Sequence, residues 1–321
     1  ESSYHLQTKA VEIRVVRWFA ELVHAEPEST WGYVTNGGSE GNLYALFLAR
    51  ELMPEGMVYY SEDTHYSISK NLRMLQIPSI MIRSRPDGAM DLDDLRETLR
   101  IHREIPPILI ANIGTTMKEA VDDVAGMRRI LRDLAITRAY LHCDAALSGM
   151  ILPFVKQAPA WDFSAGVDSV SISGHKFIGS PIPCGIALAR KRHVDRIARS
   201  IEYVGTLDTT VTGSRNGITP LFLWQAIVQQ GRDGFERMVT RCLETAEYAV
   251  ERFQAVGVKA WKNPQAITVV FPRPAPEIAR KWCLAVKDDI AHVICMHHVT
   301  RGMIDELARD LASPAGEAQN A

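Results

Sequence analysis

Asp168-Ser-Val-Ser-Ile-Ser-Gly-His-Lys-Phe177 is a short apolar run that ends on a hydroxyl, a glycine, an imidazole and an amine. A run of that length, closed by small residues, reads as a buried strand entering a tight loop. The same pattern recurs along the chain. Ala139-Tyr-Leu-His-Cys143 runs into Asp144, Ile108–Ile113 into Thr115 and Thr116, and Trp31–Asn36 into Gly37-Gly-Ser-Glu-Gly41. Met57–Tyr60 is followed closely by His65, and Ile80–Ile82 and Gly185–Ala189 complete seven such runs. Segments 40–52, 65–76, 92–103 and 123–136 between them carry helical spacing. Strand–helix alternation predicts an α/β fold, a mainly parallel sheet covered on both faces. Such sheets bind ligands beyond the carboxyl ends of their strands, where these polar residues fall.

Residues 8–24 read as an amphipathic helix, with Val11, Val15, Trp18, Phe19 and Leu22 on one side. Past residue 200 the grammar changes. Gly205–Gly217 is rich in Thr, Gly and Ser and reads as a functional loop. A long helix is expected from Leu221 to Ala255, bent at Gly231 and Gly234. Strands near 266–271 and 291–296 and helices near 276–287 and 300–312 follow. The predicted organisation is a large α/β domain over 1–233, a small C-terminal α+β domain over 234–313, and a frayed tail over 314–321. The chain opens on Glu1 rather than Met, so an N-terminal segment is expected to be missing.

Composition narrows the function classes. The 321 residues are 46% hydrophobic and 23% charged, as in globular proteins. A net charge of -2 gives no electrostatic footprint for nucleic acid. No run approaches the roughly 18 apolar residues of a membrane span, and no signal peptide is expected. Cys143, Cys184, Cys242, Cys283 and Cys295 are odd in number and lack CxxC spacing. Reduced thiols in a cytoplasmic protein fit this better than disulfides or zinc, and no metal site is expected. The pair His297-His298 reads as structural.

Lys176 carries the first chemical argument. A lysine that forms a Schiff base must lose its proton, so its pKa has to fall from about 10.4 through burial or a cationic neighbour. Placement in a cleft at a strand end is expected to supply the burial. Gly174 and Gly179 allow close backbone approach, and Ser173 and His175 are donors suited to a phosphate. Asp144 is a carboxylate able to keep a pyridine nitrogen protonated, and Ala145 and Ala146 leave room for a flat ring. Thr35-Asn-Gly-Gly-Ser-Glu-Gly41 enters a helix, whose free N–H groups bind phosphate with help from Ser39. The imidazole of His65 is suited to stacking on a ring.

Ser-Gly-His-Lys-Phe at 173–177, Asp-Ala-Ala at 144–146, Glu-Asp-Thr-His-Tyr-Ser at 62–67 and Asn-Gly-Gly-Ser-Glu-Gly-Asn at 36–42 together resemble group II pyridoxal-phosphate (PLP)-dependent amino-acid decarboxylases. Within that group the chain is similar to the bacterial histidine decarboxylase and plant serine decarboxylase branch. Trp31-Gly-Tyr-Val-Thr, Asn112-Ile-Gly-Thr-Thr, Val121-Asp-Asp, Thr212-Gly-Ser-Arg-Asn-Gly217 and Ile290-Ala-His-Val extend the likeness nearly end to end. The resemblance implies the PLP-dependent transferase fold type I and a homodimer with its active site at the interface. It implies that Lys176 carries pyridoxal 5'-phosphate as a Schiff base, Asp144 pairs with the pyridine nitrogen, His65 stacks on the ring and Ala146 packs on its other face. Thr115 is implied beside the ring hydroxyl, and Gly38, Ser39, Ser173 and His175 at the phosphate. The loop 203–217 matches a mobile segment, which implies that Ser214 and Tyr203 act on substrate in the partner subunit. The implied reaction converts an L-amino acid, histidine first, to its amine and CO2.

Ile218 stands where the family pattern carries histidine, which points to serine or an aliphatic amino acid as the alternative substrate. Two other readings keep the same residues. Gly37-x-Ser39-x-Gly41 matches a serine-hydrolase elbow, with Asp144 and His175 in triad order. A cysteine desulfurase would use Cys295 on a mobile loop, yet His292–Met296 reads as a buried strand. An inactive truncated homologue is the third alternative.

Overall fold

The computed structural model describes residues 7–201 and 206–312. The seven apolar runs form one seven-stranded sheet: β1 (Thr30–Thr35), β2 (Met57–Ser61), β3 (Ser79–Ile82), β4 (Pro107–Asn112), β5 (Tyr140–Asp144), β6 (Ser169–Ser173) and β7 (Gly185–Arg190). Their spatial order is β1-β7-β6-β5-β4-β2-β3. Neighbours from β6 to β3 pair in parallel, whereas β7 is antiparallel to both β6 and β1. One antiparallel strand between β1 and β6 leaves those two pointing the same way. The carboxyl ends of β1, β2, β4, β5 and β6 therefore share one edge of the sheet.

Strands β4, β5 and β6 are buried at every position, which is why they read as continuous apolar runs rather than alternating ones. Alternate residues serve opposite faces. Leu109, Leu141 and Cys143 pack with α1 (Lys9–Leu22), α4 (Leu92–Ile101), α5 (Val124–Asp133) and the first part of α7 (Thr219–Ala255). Ile108, Ile110 and Tyr140 pack with α2 (Gly38–Leu52), α3 (Ser67–Leu75) and α6 (Lys191–Ile197). Capping fixes some of these helices locally. Asp91 accepts the N–H groups of Asp93 and Asp94 ahead of α4, and Asp123 accepts that of Gly126 in α5.

Three expectations need revision. The stretch 205–217 is not loop throughout, because β9 (Thr206–Asp208) pairs with β8 (Arg199–Ile201). The helix expected over 276–287 is α8 (Pro276–Lys281) alone. Cys283 adopts φ 50°, which breaks the helix, and β11 (Ala285–Lys287) then pairs with β12 (Ile290–Ile294). The bend in α7 sits on Gly231 alone, at φ 60° and ψ -176°, a conformation open to glycine; Gly234 stays helical. Tyr203 and the tail from 313 lie outside the described residues.

β10 (Thr268–Pro272), β12 and β11 form a second, antiparallel sheet. It packs with the last part of α7 and with α9 (Arg301–Ala312) through Phe253, Phe271 and Leu307. Helix α7 runs continuously past residue 233: Phe235 to Cys242 pack in the larger core, and Ala246 onward in the smaller.

The second sheet is fastened to the loop that leaves β4. Glu119, 2% exposed, accepts hydrogen bonds from Ile267 N (3.0 Å), Thr268 N (2.8 Å) and Thr268 Oγ1 through one oxygen, and from Ser148 Oγ (3.0 Å) through the other. Asn263 Nδ2 donates to Lys118 O, and His292 Nδ1 donates to Met117 O. A buried carboxylate with four donors is a clamp, because removing it strands each donor without water. Glu119→Ala is expected to cost on the order of 3 kcal/mol or more of unfolding free energy, read by urea denaturation. A loss under about 1 kcal/mol would contradict the clamp.

Candidate active site

Five strand ends meet at one edge of the large sheet. After β1, Thr35 Oγ1 donates to Gly37 O (2.9 Å), and Gly37 adopts φ 148°, a backbone state that requires glycine. Gly37 is the N-cap of α2 and offers no side-chain cap. A Cβ placed on Gly38 would lie 2.8 Å from Ser173 Oγ and 3.7 Å from Ala146 Cβ. The ends of β1, β5 and β6 thus touch at Gly38, with Ser39 in the first turn of α2. His175 Cε1 would lie 3.8 Å from a Cβ on Gly37, and its Nδ1 is 2.8 Å from Cys184 O. The geometry brings Gly38, Ser39, Ala146, Ser173 and His175 around one helix N-terminus, an arrangement that favours an anion.

Asp144 ends β5 and is 7% exposed. Its Oδ1 accepts from Ala146 N (3.2 Å) and its Oδ2 from Asn42 Nδ2 (2.7 Å). His65 follows β2 and is half-buried. Its Nδ1 accepts from Ser67 N (3.2 Å) and Ser67 Oγ (2.8 Å), so the neutral ring carries its proton on Nε2. Burial holds this imidazole below its usual value of 6.5; the Asp144 charge opposes the shift, and the Lys176 and Lys70 charges add to it. Lys176 and Asp144 therefore both act on the same imidazole. Thr115, 3% exposed, accepts the N–H of Ala120 through its hydroxyl (3.0 Å) in the turn beyond β4.

Lys176 itself departs from expectation. Its side chain is exposed and forms no hydrogen bond or ion pair with the described residues. The burial expected at this strand end is not supplied by the described residues. Ser214 is exposed and Ile218 is 48% exposed at the start of α7. No hydrogen bond among the described residues joins either to Lys176 or Asp144. Their loop is held elsewhere: Arg215 Nη2 donates to both Glu12 oxygens (3.0 and 2.9 Å), and its guanidinium lies 4.9 Å from the centre of the Tyr33 ring. Glu12 Oε1 also accepts the N–H of Val34 on the outer edge of β1 (2.9 Å).

Sequence reasoning passed over three polar side chains behind Asp144. Asn42 and His142 are 1% exposed and Ser67 is fully buried. Asn42 Nδ2 also donates to Ser67 Oγ (3.3 Å), while Asn42 Oδ1 faces His142 Nε2 (3.0 Å). His142 Nδ1 faces Ser169 Oγ (2.8 Å). Burial pushes the His142 imidazole down to about 4, so the ring is neutral near pH 7. The available signal was spacing: His142 lies two residues before Asp144 on one strand face, and Asn42 lies one turn beyond Gly38.

The serine-hydrolase alternative loses its triad here, because Asp144 bonds Asn42 and Ala146 while His175 turns to Cys184. Cys295 is buried at 0% exposure, its thiol pushed up to about 12 by burial, which is unsuited to a mobile nucleophile. Among the described residues no cluster of metal-ligating side chains occurs, and no helix is long and apolar enough to cross a membrane. A separate cavity of about 360 Å³, lined by Arg85, Asp87, Asp91, Asp123 and Asn263, contains none of the expected site residues.

Residues 5–271 match the pyridoxal-dependent decarboxylase conserved domain. The histidine decarboxylase of Morganella morganii is 48% identical over 312 residues, which cover 96% of this chain and 82% of that protein. That of Pseudomonas entomophila is 47% identical over 308 residues, covering 95% and 76%. Among solved structures, L-methionine decarboxylase from Streptomyces sp. 590 superposes with a TM-score of 0.87 at 26% identity, covering 97% of this chain and 85% of that one. With the amine, carboxylate and imidazole of the sequence motifs gathered at one sheet edge, the chain belongs to the pyridoxal-dependent decarboxylase family.

Proposed function

We propose that this protein decarboxylates histidine to histamine, with pyridoxal 5'-phosphate held on Lys176. The observation that carries the reading is that Asp144, Ala146, Ser173 and the glycine start of α2 meet at the sheet edge from which the Lys176 loop leaves β6. The similarity to curated histidine decarboxylases supports the choice of substrate.

The residues present fit the cofactor. The uncapped start of α2 with Ser39, Ser173 and His175 makes a cradle for its phosphate, and a Cβ on Gly38 would fill that cradle. Bound pyridoxal phosphate supplies a sink for the electron pair left on Cα when CO2 departs. Lys176 Nζ is the covalent anchor. Asp144 holds a proton on the ring nitrogen. His65 and Ala146 would hold the ring between them, which would orient it against the substrate. Thr115 would contact the ring hydroxyl. The Nε2–H of His65, directed away from Ser67, is a donor available to the substrate.

The exposed Lys176 supports a second subunit that closes the cleft. Ile13, Ile218, Leu221, Phe222 and Val228 are exposed apolar residues of α1 and the start of α7, a face suited to a homodimer. In that assembly Ser214 and Tyr203 act on substrate in the partner's site. Five unpaired cysteines support a reducing, cytoplasmic setting. Ile218 favours a second reading in which an aliphatic amino acid is the substrate, since an apolar side chain there offers an imidazole no hydrogen bond.

Borohydride treatment of the holoenzyme is expected to fix the cofactor on Lys176, as read by peptide mass mapping; attachment to another lysine would refute the assignment. Asp144→Asn should lower kcat by on the order of 10–1,000-fold, the weight of a charge pair worth roughly 1–3 pK units. Unchanged turnover would contradict the role of Asp144. The Cε1 proton of His65 should titrate below pH 6.5 by NMR, because burial and the lysine charges disfavour its cation. A CO2-release screen over histidine, serine, valine, leucine and methionine decides the substrate, with histidine expected to give the highest kcat/KM.

A further inference from the structure

The amide of Asn42 uses every polar atom it has. Nδ2 points one proton at Asp144 Oδ2 (2.7 Å) and the other at Ser67 Oγ (3.3 Å), and Oδ1 faces His142 Nε2 (3.0 Å). The direction of this chain is forced. An ionised carboxylate cannot donate, so the amide nitrogen must face Asp144 and the amide oxygen must face His142. That oxygen needs a donor, so the single proton of neutral His142 sits on Nε2. Nδ1 then accepts from the hydroxyl of Ser169 (2.8 Å). On the other arm, Ser67 Oγ accepts from Asn42 and donates to His65 Nδ1 (2.8 Å), so the proton of His65 stays on Nε2.

We propose that Asn42, oriented by His142, is the positioning residue of this site: one amide aims the Asp144 carboxylate and, through the hydroxyl of Ser67, supports the His65 tautomer that the backbone N–H of Ser67 also selects. The proposal rests on the reading that Asp144 pairs with the cofactor's ring nitrogen. Asp144 is 7% exposed, so the donors to its carboxylate come from the protein, and the Asn42 contact is its shorter hydrogen bond. His142 touches neither Asp144 nor the cleft directly in this chain of contacts. Its neutral ring serves only to decide which way the amide faces.

The test begins on the wild-type full chain without cofactor. Long-range 1H–15N NMR is expected to find the protons of His142 and His65 on Nε2; a proton on Nδ1 of His142 overturns the proposal. The second arm uses holoenzyme carrying pyridoxal phosphate labelled with 15N at the ring nitrogen. Asn42→Ala and His142→Leu should move that resonance toward its unprotonated position and lower kcat by about tenfold or more with KM little changed, as loss of a partner behind a directly acting group does. His142→Gln, which restores an N–H donor near Nε2, should recover both signals. A resonance and kcat unmoved in His142→Leu, or moved equally in His142→Gln, overturn the proposal. If a variant does not fold, the wild-type tautomer decides. Wild-type protein that takes up no pyridoxal phosphate sinks the functional reading instead, which keeps the two failures apart.

Discussion

A carboxylate placed at the end of a fully buried strand must either be given hydrogen-bond donors or become neutral. Asp144 occupies that position on β5, and the surrounding structure supplies it with donors. One donor comes from its own loop, where Ala146 N turns back onto it, and one from α2, where Asn42 reaches across. The loop after β6 is tied to the same place, since Ser173 N donates to Ala146 O. Three elements distant in sequence are thus registered against one charge.

The antiparallel β7 matters to this arrangement. Inserted between β6 and β1, it lets β1 deliver the glycine turn and the start of α2 to the edge where β5 and β6 end. The anion cradle and the buried carboxylate are separate devices, one built on a helix terminus and the other on side-chain amides. Gly38, in contact range of both Ser173 and Ala146, is where they adjoin. A side chain there would meet Ser173 Oγ at 2.8 Å and displace it.

Much of this was legible in the sequence. All seven strands of the large sheet were visible as apolar runs, most plainly β4, β5 and β6, where burial on both faces leaves no polar alternation to dilute the signal. The strand-end residues were legible for the same reason: a polar group that terminates such a run has few structural roles. What escaped were features set by contacts between distant segments. Asn42 sits in a helix that reads as ordinary, and only the fold shows that it meets Asp144. The 276–287 segment looked helical, yet β12 pairs with its second half. The exposure of Lys176 was invisible too, since a strand-end position says where a side chain starts but not what covers it.

The clasp between Glu12 and Arg215 carries one more consequence. β1 ends the open sheet, and the outward N–H groups of an end strand invite another strand to add on. Glu12 occupies the N–H of Val34 with the same carboxylate that holds Arg215. A single side chain therefore both anchors the glycine- and threonine-rich loop and blunts the sheet against edge-on self-association. Variants that remove this carboxylate should make the protein prone to aggregate through β1 as well as loosening the loop.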